Sequence, residues 1–415
     1  MVNTELNITF FSQHRNLIIV IGILVYLLIQ LTSRMKFNPV VALFTIGLIL
    51  PSEGFILLCV YGLFYLLVRK SSIKIVFSVL LIFFFLYLFI TNYWLYYSTQ
   101  GLESLESVFD ILVGMLVAII VASVIKTEEL YRNVFDQIFR FSLLINMIAI
   151  VEFSTNWLST HTIMRVSSVF TNPITFSVYA GIMLLYGISK KSRGDFSKWD
   201  SLLLLLNSVN IIMTMSRAVW FALVFVGFVY FIRSAVSKKM KLLALALFLP
   251  LLFLVIAPNE LLTSLLDRLF TAFDLSDPST NYRYLLLIAT GQIIRDNLLF
   301  GVGFSSFQHE ILKYNPMLYS TKITHPHNTY LELLATVGLV GSVLMLTLIV
   351  YSVNRYHRKR YTYPQHFREF LFNTGMFFLF FGLFDRILTS FYTAIFFWCW
   401  LGLMNITFRN KEGRI

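Results

Sequence analysis

Residues 73–97 read IKIVFSVLLIFFFLYLFITNYWLYY. Beyond Lys74 no charge interrupts the run, and it is apolar on every face. A helix on the surface of a soluble domain would show one apolar stripe at a 3.6-residue period. A barrel strand would be short, with alternating polarity. A long run that is apolar all round is a helix in hydrocarbon, because its backbone groups must be paired within the segment. Comparable runs lie near 17–32, 37–50, 54–68, 108–125, 138–153, 174–189, 201–213, 218–232, 241–257, 328–353, 370–384 and 387–408. The pattern predicts an all-α polytopic membrane protein of about 12–13 transmembrane helices, organised as a single membrane domain over 1–415. Runs shorter than the ~20 residues of a straight span are expected to borrow polar flanks or to pair as broken or re-entrant helices. The first run has no small-residue cleavage site after it and reads as a retained span.

Charge sorts the connectors. The net charge of +12 is spread over many of them, which fits topogenic charge and not a nucleic-acid-binding surface. Most lysines and arginines fall in 33–36, 69–74, 126–140, 190–198, 233–241, 354–369 and the tail from Arg409. By the positive-inside rule these connectors, and with them the C-terminus, are cytoplasmic. The acids Glu53, Glu103, Glu106, Glu260, Asp267, Asp274 and Asp277 fall on the other side. Residues 258–326 are then one large extracytoplasmic loop. Its stretch from Tyr284 to Arg295 has helical character, and Gly301-Val302-Gly303 breaks the chain after it. Cys59 and Cys399 sit inside apolar runs and carry no information on disulfides or metals.

Ionisable groups beside membrane helices persist where they line a site or a wet cavity. The densest group is His325-Pro326-His327-Asn328-Thr329-Tyr330-Leu331-Glu332, where the loop re-enters an apolar run. Pro326 suits the first position of a helix, which puts His327 in the first turn. There the helix dipole disfavours imidazolium, and a neutral imidazole can accept a proton. Free N–H groups at the same helix end suit an anion. Glu332, four residues after Asn328, is expected to share its face and support the site from behind. Taken singly, these read as capping and interface residues at a span's outer end; their clustering at the exit of the long loop favours the functional reading. Ser216-Arg217-Ala218-Val219-Trp220 places an arginine at the outer boundary, either snorkelling beside an aromatic belt or clamping an anion. Arg283, in Asn281-Tyr282-Arg283, is alone a solvated loop arginine. Together, two outward arginines and a neutral histidine fit a pyrophosphate leaving group and a hydroxyl nucleophile. Arg165, before Val169-Phe170-Thr171-Asn172-Pro173, is a further candidate. Asp274 and Asp277 beside Pro278 read as a turn. No metal-ligand cluster, P-loop or dinucleotide glycine pattern is evident in the sequence, so neither metal nor cofactor is expected.

Four segments, in order, carry a family resemblance: Phe170-Thr171-Asn172-Pro173; Ser216-Arg217-Ala218-Val219-Trp220; Arg283 followed by Gly301-Val302-Gly303-Phe304; and His325-Pro326-His327-Asn328 through Glu332-Leu333-Leu334 with Gly338 and Gly341. The chain resembles the O-antigen ligase and O-antigen polymerase superfamily of bacterial integral membrane glycosyltransferases over its C-terminal two-thirds. The resemblance implies a GT-C-like fold in the bacterial plasma membrane and an external cavity covered by the long loop. It implies an undecaprenyl-pyrophosphate-linked glycan as donor and no metal. Arg217 and Arg283 map to its pyrophosphate-binding arginines, and His327 to a histidine that is the general base or orients the acceptor, with His325 in a supporting role; beside the resemblance, Asn328, Glu332 and Arg165 are expected as supporting residues.

The expected reaction is metal-independent and inverting. A polymerase extends a lipid-linked glycan, whereas a ligase transfers polymer to a lipid A core or another acceptor. A flippase and a chain-length regulator are expected partners beside the lipid bilayer. Polymerase is the favoured reading, because no soluble acceptor domain is evident. A lipid-linked-oligosaccharide transporter would use the arginines for headgroups without chemistry, but it would more readily show repeated halves, and none appears. A membrane scaffold would leave the external His and Arg cluster without a role.

Overall fold

The computed structural model describes residues 10–32, 38–50, 52–68, 75–99, 106–161, 164–170, 172–233, 278–304, 306–315 and 325–408. Every regular element among them is helical. The helices are α1 (Phe10–Thr32), α2 (Pro39–Leu43), α3 (Ser52–Val68), α4 (Ile75–Thr99), α5 (Glu106–Val124), α6 (Glu128–Thr160), α7 (Pro173–Lys190), α8 (Lys198–Met213), α9 (Arg217–Arg233), α10 (Pro278–Asp296), α11 (Phe307–Tyr314), α12 (Thr329–Lys359), α13 (Gln365–Phe381) and α14 (Phe391–Met404). Glu128–Thr160 and the continuous stretch Thr329–Thr362 are long and apolar enough to cross a membrane; six further helices are apolar but shorter. Broad apolar faces of α1, α3 and α4 stay exposed, with Leu57, Phe64 and Leu67 among them. Such faces suit a lipid surround.

The expected span near 37–50 is not one helix. Asn38 caps α2 by accepting from the Val40 N–H, and the chain then turns through a 3-10 segment at Ile46–Leu48. The Thr45 hydroxyl bonds back to Val41 O at 2.5 Å, which satisfies one carbonyl freed by the break. The expected span at 241–257 and loop residues 258–277, with Asp274 and Asp277, lie outside the described residues, as do Ser305 and residues 316–324.

Helix α14 is the hub. Every residue from Thr393 to Met404 is buried. A Cβ on Gly114 of α5 would lie 2.1 Å from Trp398, and one on Gly402 would lie 2.6 Å from Ala118 O. Small residues let α5 and α14 approach this closely, as membrane helix interfaces require. The chain runs back and forth around this hub. Residues 164–170, 214–216, 325–328 and 382–390 lie at one end: Arg165 Nε donates to Thr214 O, Asn328 Nδ2 to Leu383 O, and Phe170 packs on Tyr392 at the start of α14. Connectors 190–198 and 360–364 lie at the other. That far end holds a paired charge network in which Lys190 bonds Asp200 at 2.7 Å and Arg193 bonds Asp136 at 2.7 Å and Asp195 at 2.6 Å. Several cations counted as topogenic are therefore also ion-pair partners.

The long loop's described part folds onto α12. Leu286, Ala289 and Ile293 of α10 and Phe307 and Ile311 of α11 form a small core with Val302 and Ala335. The helix expected from Tyr284 begins earlier, at Pro278, so Arg283 is helical. Gly338 breaks α12, with φ 63° and ψ −169°. Five of the backbone groups around the break are met from outside the helix. Val302 N and Gly303 N donate to Ala335 O (2.9 Å) and Thr336 O (2.7 Å), and Leu339 N and Val340 N donate to Leu298 O (2.8 Å) and Leu299 O (3.1 Å). The Tyr87 hydroxyl of α4 donates to Val337 O at 2.6 Å. Gly301 and Gly338 cross so closely that a Cβ on Gly338 would lie 2.4 Å from Leu299 O.

Gly338→Ala combines a backbone region open essentially to glycine with a clash against backbone, a cost of about 2–6 kcal/mol. Thermal unfolding in detergent should show a clear loss of stability. Gly227→Ala, where an added Cβ meets nothing within 4 Å, should be neutral or slightly stabilising; equal melting of the two variants would contradict this account of the crossing.

Candidate active site

The N-terminus of α12 forms where Asn328 outcompetes its neighbours as cap. Its Oδ1 accepts from both Tyr330 N and Leu331 N at 3.0 Å. This corrects the expected register: Pro326 and His327 precede the helix, and His327 is not in its first turn. His327 instead adopts a left-handed conformation, φ 51°. Non-glycine residues held there cluster at functional sites.

The strand of loop around His327 is stitched to loop 382–390. Thr329 N donates to Gly382 O (2.8 Å), the Thr329 hydroxyl to Asp385 O (2.8 Å), and Ile387 N to Thr329 Oγ1 (2.9 Å). These bonds bring the buried Asp385 against His327, with Nδ1 3.4 Å from Oδ1. The contact is looser than a tight hydrogen bond, as catalytic pairs without substrate often are. Asp385 Oδ1 also accepts from Arg386 N at 2.8 Å. Burial alone would raise the Asp385 carboxyl. The His327 hydrogen bond, the nearby imidazoles and the Arg386 N–H prevail and hold it below the usual carboxylate range. An ionised Asp385 beside Nδ1 favours the Nδ1–H tautomer, which leaves Nε2 as a proton acceptor.

His325 lies against His327, ring centroids 4.3 Å apart at 64°. Burial, and then the charge of Arg386, push its imidazole down to about 3, with His327 and Arg283 acting the same way. So Arg283 and Arg386 both reach the same ring electrostatically. Arg283 arrives there because it extends the buried stripe of α10, Leu286, Thr290 and Ile293, at helical spacing.

Glu332 is buried, and its contact is with loop 382–390, which carries Asp385. Its Oε1 accepts from the Thr389 hydroxyl at 2.5 Å, and its Oε2 is buried without a hydrogen bond. It braces that loop. Arg217 opens α9, which runs antiparallel to α13: Phe225 stacks on Phe380 at 4.4 Å and Phe221 meets Phe384 at 5.8 Å. The same register, continued one turn, carries Arg217 to the level of loop 382–390. Arg165 supports the turn before it through Thr214 O at 2.8 Å. Its own loop is held by the buried Glu152, which accepts from Ser167 N (3.0 Å) and Ser168 N (2.7 Å). Asn172 is a helix cap, accepting from Ile174 N.

Asp385, Arg386 and Thr389 were not singled out from sequence. A signal existed: Asp385-Arg386 are the only charges between two Phe-rich runs, on the side poor in cations. His325, His327 and Asp385 also offer three ligand atoms within 4.8 Å of one another, a donor set that suits zinc. Two guanidiniums act on the same imidazole, however, and added positive charge opposes a dication there.

Residues 202–346 match the family model described as O-antigen ligase, which supports the resemblance to the O-antigen ligase and polymerase superfamily. The match includes Arg217, Arg283, His325, His327, Asn328 and Glu332; Arg165 and Asp385 lie outside it. No curated protein matches the chain. The apolar helices and the family match together point to a membrane protein of polysaccharide biosynthesis.

The depressed His325 value has a pH consequence. The folded chain keeps this imidazole neutral down to about 3, whereas the ordinary value is 6.5. As pH falls below 6.5 the unfolded chain takes up the proton first, so stability present above that pH is lost toward 3. The slope is on the order of 1 kcal/mol per pH unit. Melting temperatures from pH 8 to 4 should fall for the wild type and flatten for His325→Gln; parallel curves would show that His325 is not the group responsible.

Proposed function

For a chain whose residues 202–346 carry the O-antigen ligase family's match, we propose a glycosyl transfer from an undecaprenyl-pyrophosphate-linked glycan at the outer face of the bacterial plasma membrane. The observation that carries it is the buried Asp385 carboxylate beside His327 Nδ1, next to a group of guanidiniums. His327 Nε2 takes the proton of an acceptor sugar hydroxyl. The oxygen attacks the anomeric carbon, and the bond from that carbon to the diphosphate oxygen breaks. Undecaprenyl pyrophosphate leaves with its electron pair, and Arg217 and Arg283 meet the charge that develops. A single displacement inverts the anomeric configuration. Asp385 holds the imidazole in the accepting tautomer and stabilises the imidazolium that forms. The trio with His325 works as a proton-transfer pair with a neutral neighbour, without metal.

The multi-pass arrangement, the cytoplasmic C-terminus and the covering role of the 258–326 loop belong to this same proposal. The far-end cation clusters and the packing of α10 and α11 against α12 support it. A polymerase extending a lipid-linked repeat unit is the reading we favour. The family model's own description as a ligase supports the second reading, in which the same chemistry delivers polymer to a lipid A core or another acceptor.

The test gives purified protein a lipid-linked repeat unit and follows product length. His327→Ala should lower the rate by roughly 10²–10⁴-fold, the usual worth of a general base. Asp385→Asn should lower it less, and a chelator should leave it unchanged. Ladder formation without another acceptor supports polymerase; transfer only to added lipid A core supports ligase. Full transfer by folded His327→Ala would remove the proposal.

A further inference from the structure

Arg386 is the charged side chain at this site that the mechanism above leaves unused. It is half-buried on loop 382–390, and its backbone is pinned on both sides: its own N–H donates to Asp385 Oδ1, and Ile387 N donates to Thr329 Oγ1. Among the described residues its guanidinium makes no hydrogen bond and no ion pair, whereas the arginines of the far-end network find carboxylates. Arg283 is likewise without an ion pair among the described residues. Both charges nevertheless act on the His325 ring, Arg386 the more strongly. The charges of two guanidiniums therefore converge on one ring from different elements, α10 and the loop after α13, and neither has an ion pair among the described residues.

The bland account is that Arg386 serves as counter-ion to the buried Glu332, on whose carboxyl its charge acts. The geometry runs against it. Glu332 takes the Thr389 hydroxyl, leaves Oε2 unpaired, and forms no ion pair with Arg386. A guanidinium on a fixed backbone, with no partner for its donors among the described residues, is suited to the planar two-point binding that phosphate oxygens offer. Next to a buried Asp385–His327 pair, a bound anion would also offset the accumulated positive charge.

We infer that Arg386 is a phosphate-binding residue of this site, sharing with Arg283 the diphosphate group of a polyprenyl-linked ligand. The inference rests on the glycosyl-transfer reading and extends it by one ligand-binding residue. Arg386 holds the diphosphate from the side nearest His325 and His327, so it acts on binding and on departure of the same group.

The full chain in zwitterionic phosphatidylcholine nanodiscs is titrated with undecaprenyl diphosphate, and binding is read by native mass spectrometry. Arg386→Gln should weaken binding at least tenfold, and Arg386→Lys should retain part of it. Melting temperatures measured alongside separate the bland account: a counter-ion role predicts that Arg386→Gln and Glu332→Gln shift melting while diphosphate binding stays normal. Nanodiscs with phosphatidylglycerol, and added inorganic pyrophosphate, identify the source of the phosphate. Competition by pyrophosphate supports the diphosphate assignment, whereas equal displacement by phosphatidylglycerol overturns it. Binding by Arg386→Gln within twofold of wild type overturns the role of Arg386 while transfer by wild type, and its loss in His327→Ala, leave the enzyme reading standing. Wild-type protein that neither transfers glycan nor binds the diphosphate overturns both.

Discussion

In an apolar surround every backbone N–H and C=O has to be paired, and this constraint shapes the whole site. A continuous helix meets it alone. A helix that stops or breaks hands its unpaired groups to another segment, and that segment is then fixed. Gly338 interrupts α12, and the loop from Leu298 to Gly303 supplies partners for four of the groups around the break, with Tyr87 meeting Val337 O. Thr329 and Asn328 begin α12, and their groups are shared with Gly382, Leu383, Asp385 and Ile387. Two sequence-distant loops are thereby locked to one helix. Each lock positions a charged residue of the site: Arg283 through α10, and Asp385 with Arg386 through the loop.

Electrostatics follows from this placement. The far end of the molecule pairs its charges, with Lys190 and Arg193 among three aspartates. The site end does the opposite. It buries one carboxylate against an imidazole and leaves Arg283 and Arg386 without ion pairs among the described residues. Buried carboxylates need partners, and Asp385 has the ring and a backbone N–H. His325 is kept neutral by burial and by those same cations, so it adds no further repulsion beside His327.

The sequence was a good guide where the signal was local. Among the described residues, most all-round apolar runs are helices at nearly the expected places, and the break at Gly301-Val302-Gly303 is visible from glycine spacing alone. The short element at 37–50 was misjudged because its hydropathy does not reveal the turn after Leu43, which depends on side-chain bonds such as Thr45 to Val41. The register at Pro326 slipped for a similar reason. Proline at a helix start and asparagine as a cap compete, and the Asn328 side chain, reaching two N–H groups, won. Glu332 was legible as important by its type and place, but its partner Thr389 is 57 residues away in the chain.

By itself the sequence determined the helical class, the uneven spread of charge over the connectors, and the identity of His327, Arg217 and Arg283 as residues worth placing. Hydropathy and charge are properties of single segments, so they can be read without neighbours. Only the tertiary structure decided that His327 faces Asp385, that the charges of Arg283 and Arg386 act on the His325 ring, and that Glu332 braces a loop. Those relations exist because freed backbone groups at helix ends found partners far along the chain, and pairing of that kind leaves no periodic trace in the residues that make it.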